Sequence, residues 1–182
     1  PIDYYDKEKL KELMRSYYRL YPRKKPEDTL NDDVDMMKEL VTVGAIPVKN
    51  WVKGVFEPAY ELAEGLRESK PMYCKDCSVG CLESKWTSGG ERHMVYQHWA
   101  PMGTNCLIGN GEALQQAYSL CSRYGLDSIS TGTVIAFAME CFEKGLVTRD
   151  DADGIELNWG NYEVMLDMVR KIGEREGFGE LL

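Results

Sequence analysis

Apolar residues recur at three- and four-residue steps over most of this chain, and that period leaves little room for any fold but a helical one. Between Lys7 and Tyr21 the stripe is Leu10, Leu13, Met14, Tyr17 and Tyr21, with Lys, Glu and Arg between, and Pro22 stops it. From Glu112 the pattern is cleaner. Ala113, Leu114, Ala117, Tyr118 and Cys121 share one face up to Gly125. A second helix is expected over Thr133 to Lys144, with Ile135, Ala138, Met139 and Phe142 inward and Gly145 as its C-terminal cap. Asn161 is placed to cap a last helix striped by Val164, Met165, Met168, Val169 and Ile172. Weaker signals add a short helix capped by Asp32 or Asp33 and running through Met36, Met37 and Leu40, and another over Ala59 to Glu68 with Pro58 in its first turn. No alternation marks a sustained strand. Some irregular β structure is allowed for around residues 43 to 54 or 90 to 100. The expected fold is all-α, a multihelical domain whose irregular loops carry the chemistry.

Two stretches lack the helical period. Val43 to Gly54 holds Gly44, Pro47, Asn50 and Gly54 and reads as an extended loop. Between Thr87 and Gly111, five glycines and Pro101 are mixed with His93, Tyr96, His98 and Trp99, the ingredients of a site built on loops. The 182 residues suit a single domain, and a 43% hydrophobic content suffices for a core. A net charge of −8 repels phosphates, which argues against a nucleic-acid partner. No apolar run is long enough to span a bilayer and no leader opens the chain, so a soluble, cytoplasmic protein without a membrane role is expected. The start at Pro1 without a Met, and a last helix close to Leu182, lead us to expect a piece of a longer protein.

Cys74, Cys77 and Cys81 form C-x2-C-x3-C within eight residues. Three thiolates that close reach three corners of a compact iron–sulfur cluster, whose fourth ligand arrives from elsewhere. A structural zinc site also uses C-x2-C and is the alternative reading, one that would make the chain a non-catalytic helical module. Cys106, in Gly103-Thr104-Asn105-Cys106, is a further candidate metal ligand on a loop. Cys121 and Cys141 fall on apolar helix faces and read as structural.

The run from Cys121 through Ser122-Arg123-Tyr124-Gly125-Leu126-Asp127 to Thr131-Gly132 and on to Cys141 resembles a stretch of the aldehyde:ferredoxin oxidoreductase family. Pro47-Val48-Lys49-Asn50-Trp51 and Leu157-Asn158-Trp159-Gly160-Asn161 look similar as well, and the likeness extends from about residue 40 to 180. The resemblance implies the middle helical domain of a three-domain enzyme with two pterins on tungsten (or molybdenum) and one [4Fe-4S] cluster. It implies oxidation of aldehydes, small carbonyl substrates, to carboxylic acids, with ferredoxin as electron acceptor. An isolated piece lacking the second pterin arm and the fourth cysteine should be inactive. A relative acting on another substrate, such as an aromatic thioester, is the runner-up.

The family's pterin motif, D-x-x-G-L-D, reads Ser122-Arg123-Tyr124-Gly125-Leu126-Asp127, with Ser122 in place of the first Asp. Gly125 is expected in a left-handed turn, and Asp127 is expected as acceptor for the pterin's N–H groups. Thr131 and Gly132 are expected to open the next helix towards an anion. The glutamate the family carries near its metal falls on Gln97, which exchanges no proton at neutral pH. The neighbouring His98 is therefore expected to take over acid–base chemistry, in a turn or helical start near Gln97.

Overall fold

The computed structural model describes residues 6–20, 26–65, 70–72, 84–86, 92–93 and 96–182, with backbone alone for residues 26–33 and for the three short strands. The order is α1 (Lys7–Leu20), α2 (Pro26–Thr42), α3 (Pro58–Gly65), β1 (Lys70–Met72), β2 (Ser84–Trp86), β3 (Arg92–His93), α4 (Tyr96–Met102), a 3-10 turn (Thr104–Cys106), α5 (Gly111–Tyr124), α6 (Ser128–Glu143), α7 (Tyr162–Glu174) and α8 (Phe178–Leu181). The fold is all-α, as the apolar period requires. The strands form one small antiparallel sheet in the order β1-β2-β3, with Lys70 opposite Trp86 and Lys85 opposite His93. At two or three residues each, they are too short to register as alternation.

The caps fall where side-chain chemistry puts them. Asn110 and Asn161 accept from the N–H groups of Ala113 and Val164, three residues on, and Gly125 ends α5 in the left-handed region at φ 71°. Each cap satisfies an otherwise orphaned amide and is worth about 1 kcal/mol. Inside, Leu114, Ile135, Met139, Met165, Met168 and Trp99 are buried to within 2% of completely. Each large apolar side chain so buried contributes roughly 1.5–3 kcal/mol. No residue of α1 is buried, and Leu13 and Tyr17 on its apolar stripe are exposed.

Four expectations need correction. α2 starts at Pro26 rather than at an Asp32 or Asp33 cap, because proline's fixed φ suits a first helical position. The 43–54 segment is not extended. It turns tightly, with Lys49, Asn50 and Trp51 at φ 47°, 48° and 67°. Much of the glycine-rich stretch is helical, since α4 and the 3-10 turn lie within it and Trp99, Met102 and Cys106 anchor them in the core. Last, α6 begins at Ser128, well before Thr133, because Asp127 caps it.

The contact that positions the site is between α4 and α6. A Cβ on Gly132 would lie 2.6 Å from the Pro101 carbonyl carbon and 2.8 Å from the Met102 nitrogen. Backbone meets backbone there, so no side chain can move aside. The Gly132→Ala variant should therefore lose about 1–3 kcal/mol in urea unfolding, the usual cost of overpacking a filled core. Gly111→Ala, whose added methyl would meet only Leu62 at 3.7 Å, should change stability little. Equal midpoints for the two variants would contradict the close approach.

Candidate functional site

The turn that joins α5 to α6 is built from local rules. Gly125 donates its N–H to the Cys121 carbonyl, and Leu126 N–H follows to the same oxygen at 2.9 Å, a left-handed close that suits glycine. Among the described residues nothing lies within 4 Å of the place a Gly125 Cβ would occupy, so they leave this face of the turn open. Ser122 and Arg123 are exposed on the last turn of α5, and Leu126 packs half-buried against the core. Asp127 is exposed, and its carboxylate accepts the Ser130 N–H at 2.8 Å. The Ser130 hydroxyl and N–H, then Ile129 N–H and the nearby His98, hold the Asp127 carboxyl below the usual aspartate range. A carboxylate has about four acceptor sites. Capping leaves Asp127 able to accept from a further donor.

Thr131 does not open the helix. Its N–H and its hydroxyl both donate to the Asp127 carbonyl, at 3.0 and 2.8 Å, and the side chain is 6% exposed. The amides at the helix entrance are those of Ser128 to Ser130, one turn earlier than the motif suggests. Gly132 lies deeper still, under α4. The reason is the cap: Asp127 starts the helix by accepting from Ser130, so Thr131 makes the first regular intrahelical bond.

His98 and Gln97 lie on the first turn of α4, the helical start expected there. Consecutive helical residues point about 100° apart, so the two side chains diverge. Gln97 is exposed. His98 is half-buried, with Nδ1 2.7 Å from Ser128 Oγ and its ring stacked on Tyr118 at 4.3 Å between centroids. The fold thus gathers His98, Tyr118, Asp127 and Ser128 at one corner. Ser128 and Tyr118 escaped notice in the sequence: Ser128 carries no motif signal of its own, and Tyr118 reads as one more apolar position.

Cys74, Cys77 and Cys81 lie outside the described residues. The flanking strands are paired, with Met72 opposite Ser84, so the backbone on either side of the three cysteines comes together. Cys106 is fully buried. Its thiol faces the carbonyls of Pro101 and Gly132, each at 3.6 Å, and burial pushes its pKa up to about 12. In this fold the Cys106 thiol fills the α4–α6 crossing as a small buried group. Burial also raises Cys121, to about 11, against the pull of the Thr131 hydroxyl. Among the described residues no three His, Cys, Asp or Glu side chains converge to hold a metal ion. Nor is any described helix long and apolar enough to cross a membrane.

The other two motif segments meet at the far end of α6. Lys49 pairs with Glu143 at 2.5 Å and lies 5.4 Å from the centre of the Trp159 ring, while Asn50 donates to Glu140. The left-handed run at Lys49 and Asn50 is held by N–H donation to the carbonyls of Thr104 and Asn105, both at 3.2 Å. Pro47–Trp51, the end of α6 and Leu157–Asn161 are therefore one packed unit. Lys49 and Glu143 are separated by 94 positions, a pairing with no local signature.

The Asp127 cap has a measurable consequence of its own. Asp127→Ala should lower stability by about 1 kcal/mol, the worth of a cap. Because the folded pKa is depressed, the contribution is complete above the ordinary aspartate pKa of about 3.9 and is lost as the pH falls through the folded value. Unfolding curves of wild type and variant should converge in acid; a gap unchanged from neutral pH to pH about 2 would contradict the cap.

Comparison with known proteins assigns this arrangement to a family. Residues 31–182 match the family model described as aldehyde ferredoxin oxidoreductase, domains 2 and 3. A tungsten-containing aldehyde ferredoxin oxidoreductase of Pyrococcus furiosus is 36% identical over 148 residues, covering 76% of this chain and 24% of that protein. Its counterpart in Thermococcus kodakarensis is 35% identical over 148 residues, with the same coverage. The aliphatic sulfonate oxidoreductase, WOR-like subunit, of Pyrococcus furiosus is 28% identical over 194 residues, covering 98% of this chain and 30% of that protein. The chain spans about a quarter of the length of the aldehyde-oxidising relatives it matches. With a matching model over residues 31–182, the chain belongs to the aldehyde ferredoxin oxidoreductase family of oxidoreductases.

Proposed function

We propose that this chain is the helical part of a three-domain tungsten–pterin oxidoreductase of the cytoplasm, oxidising aldehydes to carboxylic acids and passing electrons to ferredoxin. The observation that carries the reading is the α5–α6 turn: an open left-handed Gly125, then an exposed Asp127 carboxylate at the entrance of a long helix. That donor set fits a pterin. The open face at Gly125 admits a flat ring, and Asp127, ionised at neutral pH, accepts from ring N–H groups. The Ser128–Ser130 end of α6 favours an anion. Arg123 and Ser122, exposed beside the turn, complete the polar rim, and Leu126 holds the turn to the core. When bound, the metal–pterin group supplies two-electron oxidation and the cluster relays electrons singly. In this reading Cys74, Cys77 and Cys81 supply three thiolates of a [4Fe-4S] cluster, with the fourth ligand from outside residues 1–182.

A second reading differs in substrate. Gln97 stands where the family carries a carboxylate, and a neutral amide positions a substrate or water without exchanging a proton. The sulfonate oxidoreductase relative, which covers 98% of the chain, is a family relative whose named substrate is not an aldehyde. A substrate panel on the full-length enzyme separates the two: turnover of simple aldehydes supports the first, and turnover of sulfonates or thioesters alone supports the second.

The cofactor reading is tested by metal analysis of anaerobically purified full-length protein. Iron, tungsten and broad visible absorption are expected in wild type, with iron and colour lost in Cys77→Ser. Asp127→Asn, which keeps the side-chain volume, should lower pterin content. A colourless protein holding zinc and no iron would establish the structural-zinc alternative, and normal pterin content in Asp127→Asn would refute the arm.

A further inference from the structure

One side chain at the α5–α6 corner is held more firmly than a general base needs to be. His98 is gripped at two points: Nδ1 by the Ser128 hydroxyl at 2.7 Å, and the ring face by Tyr118, with planes 28° apart. Ser128 is the first residue of α6 and follows the Asp127 cap directly, while Tyr118 belongs to α5, the other limb of the turn. The His98 ring thus bridges both helices that form the arm. Its own helix cannot drift, because α4 touches α6 backbone to backbone at Gly132, one turn beyond Ser128.

Resting on the pterin reading above, we propose that His98 is a positioning residue of the pterin arm. Through its Nδ1 contact with Ser128 it sets the first turn of α6, and with it the direction of the Asp127 carboxylate. The two contacts above join His98 to the arm itself. A group that orients a ligand in this way usually matters about 10- to 100-fold to cofactor affinity. A substrate base would act through Nε2, with the Ser128 contact serving only to orient the ring. The two roles use different ring nitrogens, which makes them separable.

Asparagine places a polar atom near the site of Nδ1, and glutamine near that of Nε2. In full-length holoenzyme, His98→Asn should keep the tungsten content and the tungsten EPR signature of wild type. His98→Gln and Ser128→Ala should each shift that signature and lower tungsten loading about tenfold. The double variant His98→Gln/Ser128→Ala should be no worse than either single change, since both remove one interaction. Circular dichroism and melting of each variant separate loss of fold from loss of cofactor, and His98→Asn with Ser128→Ala is the mildest informative pair. Wild-type loading and spectrum in Ser128→Ala would overturn the proposal, as would fully additive effects. So would a His98→Asn enzyme with normal loading and spectrum but a collapsed kcat, which would mark His98 as the base. A wild type without tungsten or pterin would instead overturn the cofactor reading itself.

Discussion

The backbone contact between α4 and α6 at Gly132 is the constraint on which the rest of the structure depends. With no Cβ in the way, the Pro101–Met102 peptide lies directly on the second turn of α6. Cys106 closes the crossing, its thiol facing one carbonyl from each helix. That contact places the first turn of α4 beside the first turn of α6. His98 therefore meets Ser128, and the arm has a neighbour that no local rule supplies. Burying a thiol that stays protonated costs little, since cysteine packs as a small hydrophobe. A charged or bulkier group could not occupy that crossing.

Two polar clusters sit at opposite ends of α6. At its N-terminus the groups are few and exposed: the Asp127 carboxylate, the entrance amides and an open glycine turn, with His98 behind them. At its C-terminal end Glu140 and Glu143 are answered by partners on the protein itself, Lys144 then Asn50 for the first and Lys49 for the second, which hold both carboxyls below their usual range. A cluster whose charges are already matched within the fold holds segments together, here the left-handed turn at Lys49 and the loop around Trp159. Residues in such backbone regions cost of order 1–3 kcal/mol each and persist only where their surroundings over-determine them. The pairings to Thr104, Asn105, Glu140 and Glu143 provide that surround. The N-terminal cluster has acceptor capacity left for something outside the chain.

Much of the fold was legible because it follows from neighbours in sequence. The stripes of α5 and α7, the Asn161 cap and the left-handed Gly125 are all decided within a few residues. The errors have two causes: in some places long-range contact overrode local preference, and in others a proline or a cap started a helix earlier than its apolar stripe showed. Glycines and a proline between residues 87 and 111 read as loop, yet α4 forms there because Trp99 and Met102 are pulled into the core. Cys106, read as a candidate ligand on a loop, lies in the core for the same reason. Thr131 was displaced from the helix entrance by a cap that starts α6 earlier than its apolar stripe suggested.

The sequence by itself determined the helical class, the Asn161 cap and the left-handed Gly125, because period, capping and the glycine turn act over one helical turn. It also carried the family likeness through the order of residues in its motifs. Only the tertiary structure decided which of those residues meet. His98 with Ser128, Cys106 with Gly132, and Lys49 with Glu143 are pairs 30, 26 and 94 positions apart. Over such distances nothing in the local chain specifies direction. What does is the requirement that two helices close on a shared core without voids, which α4 and α6 meet at Gly132.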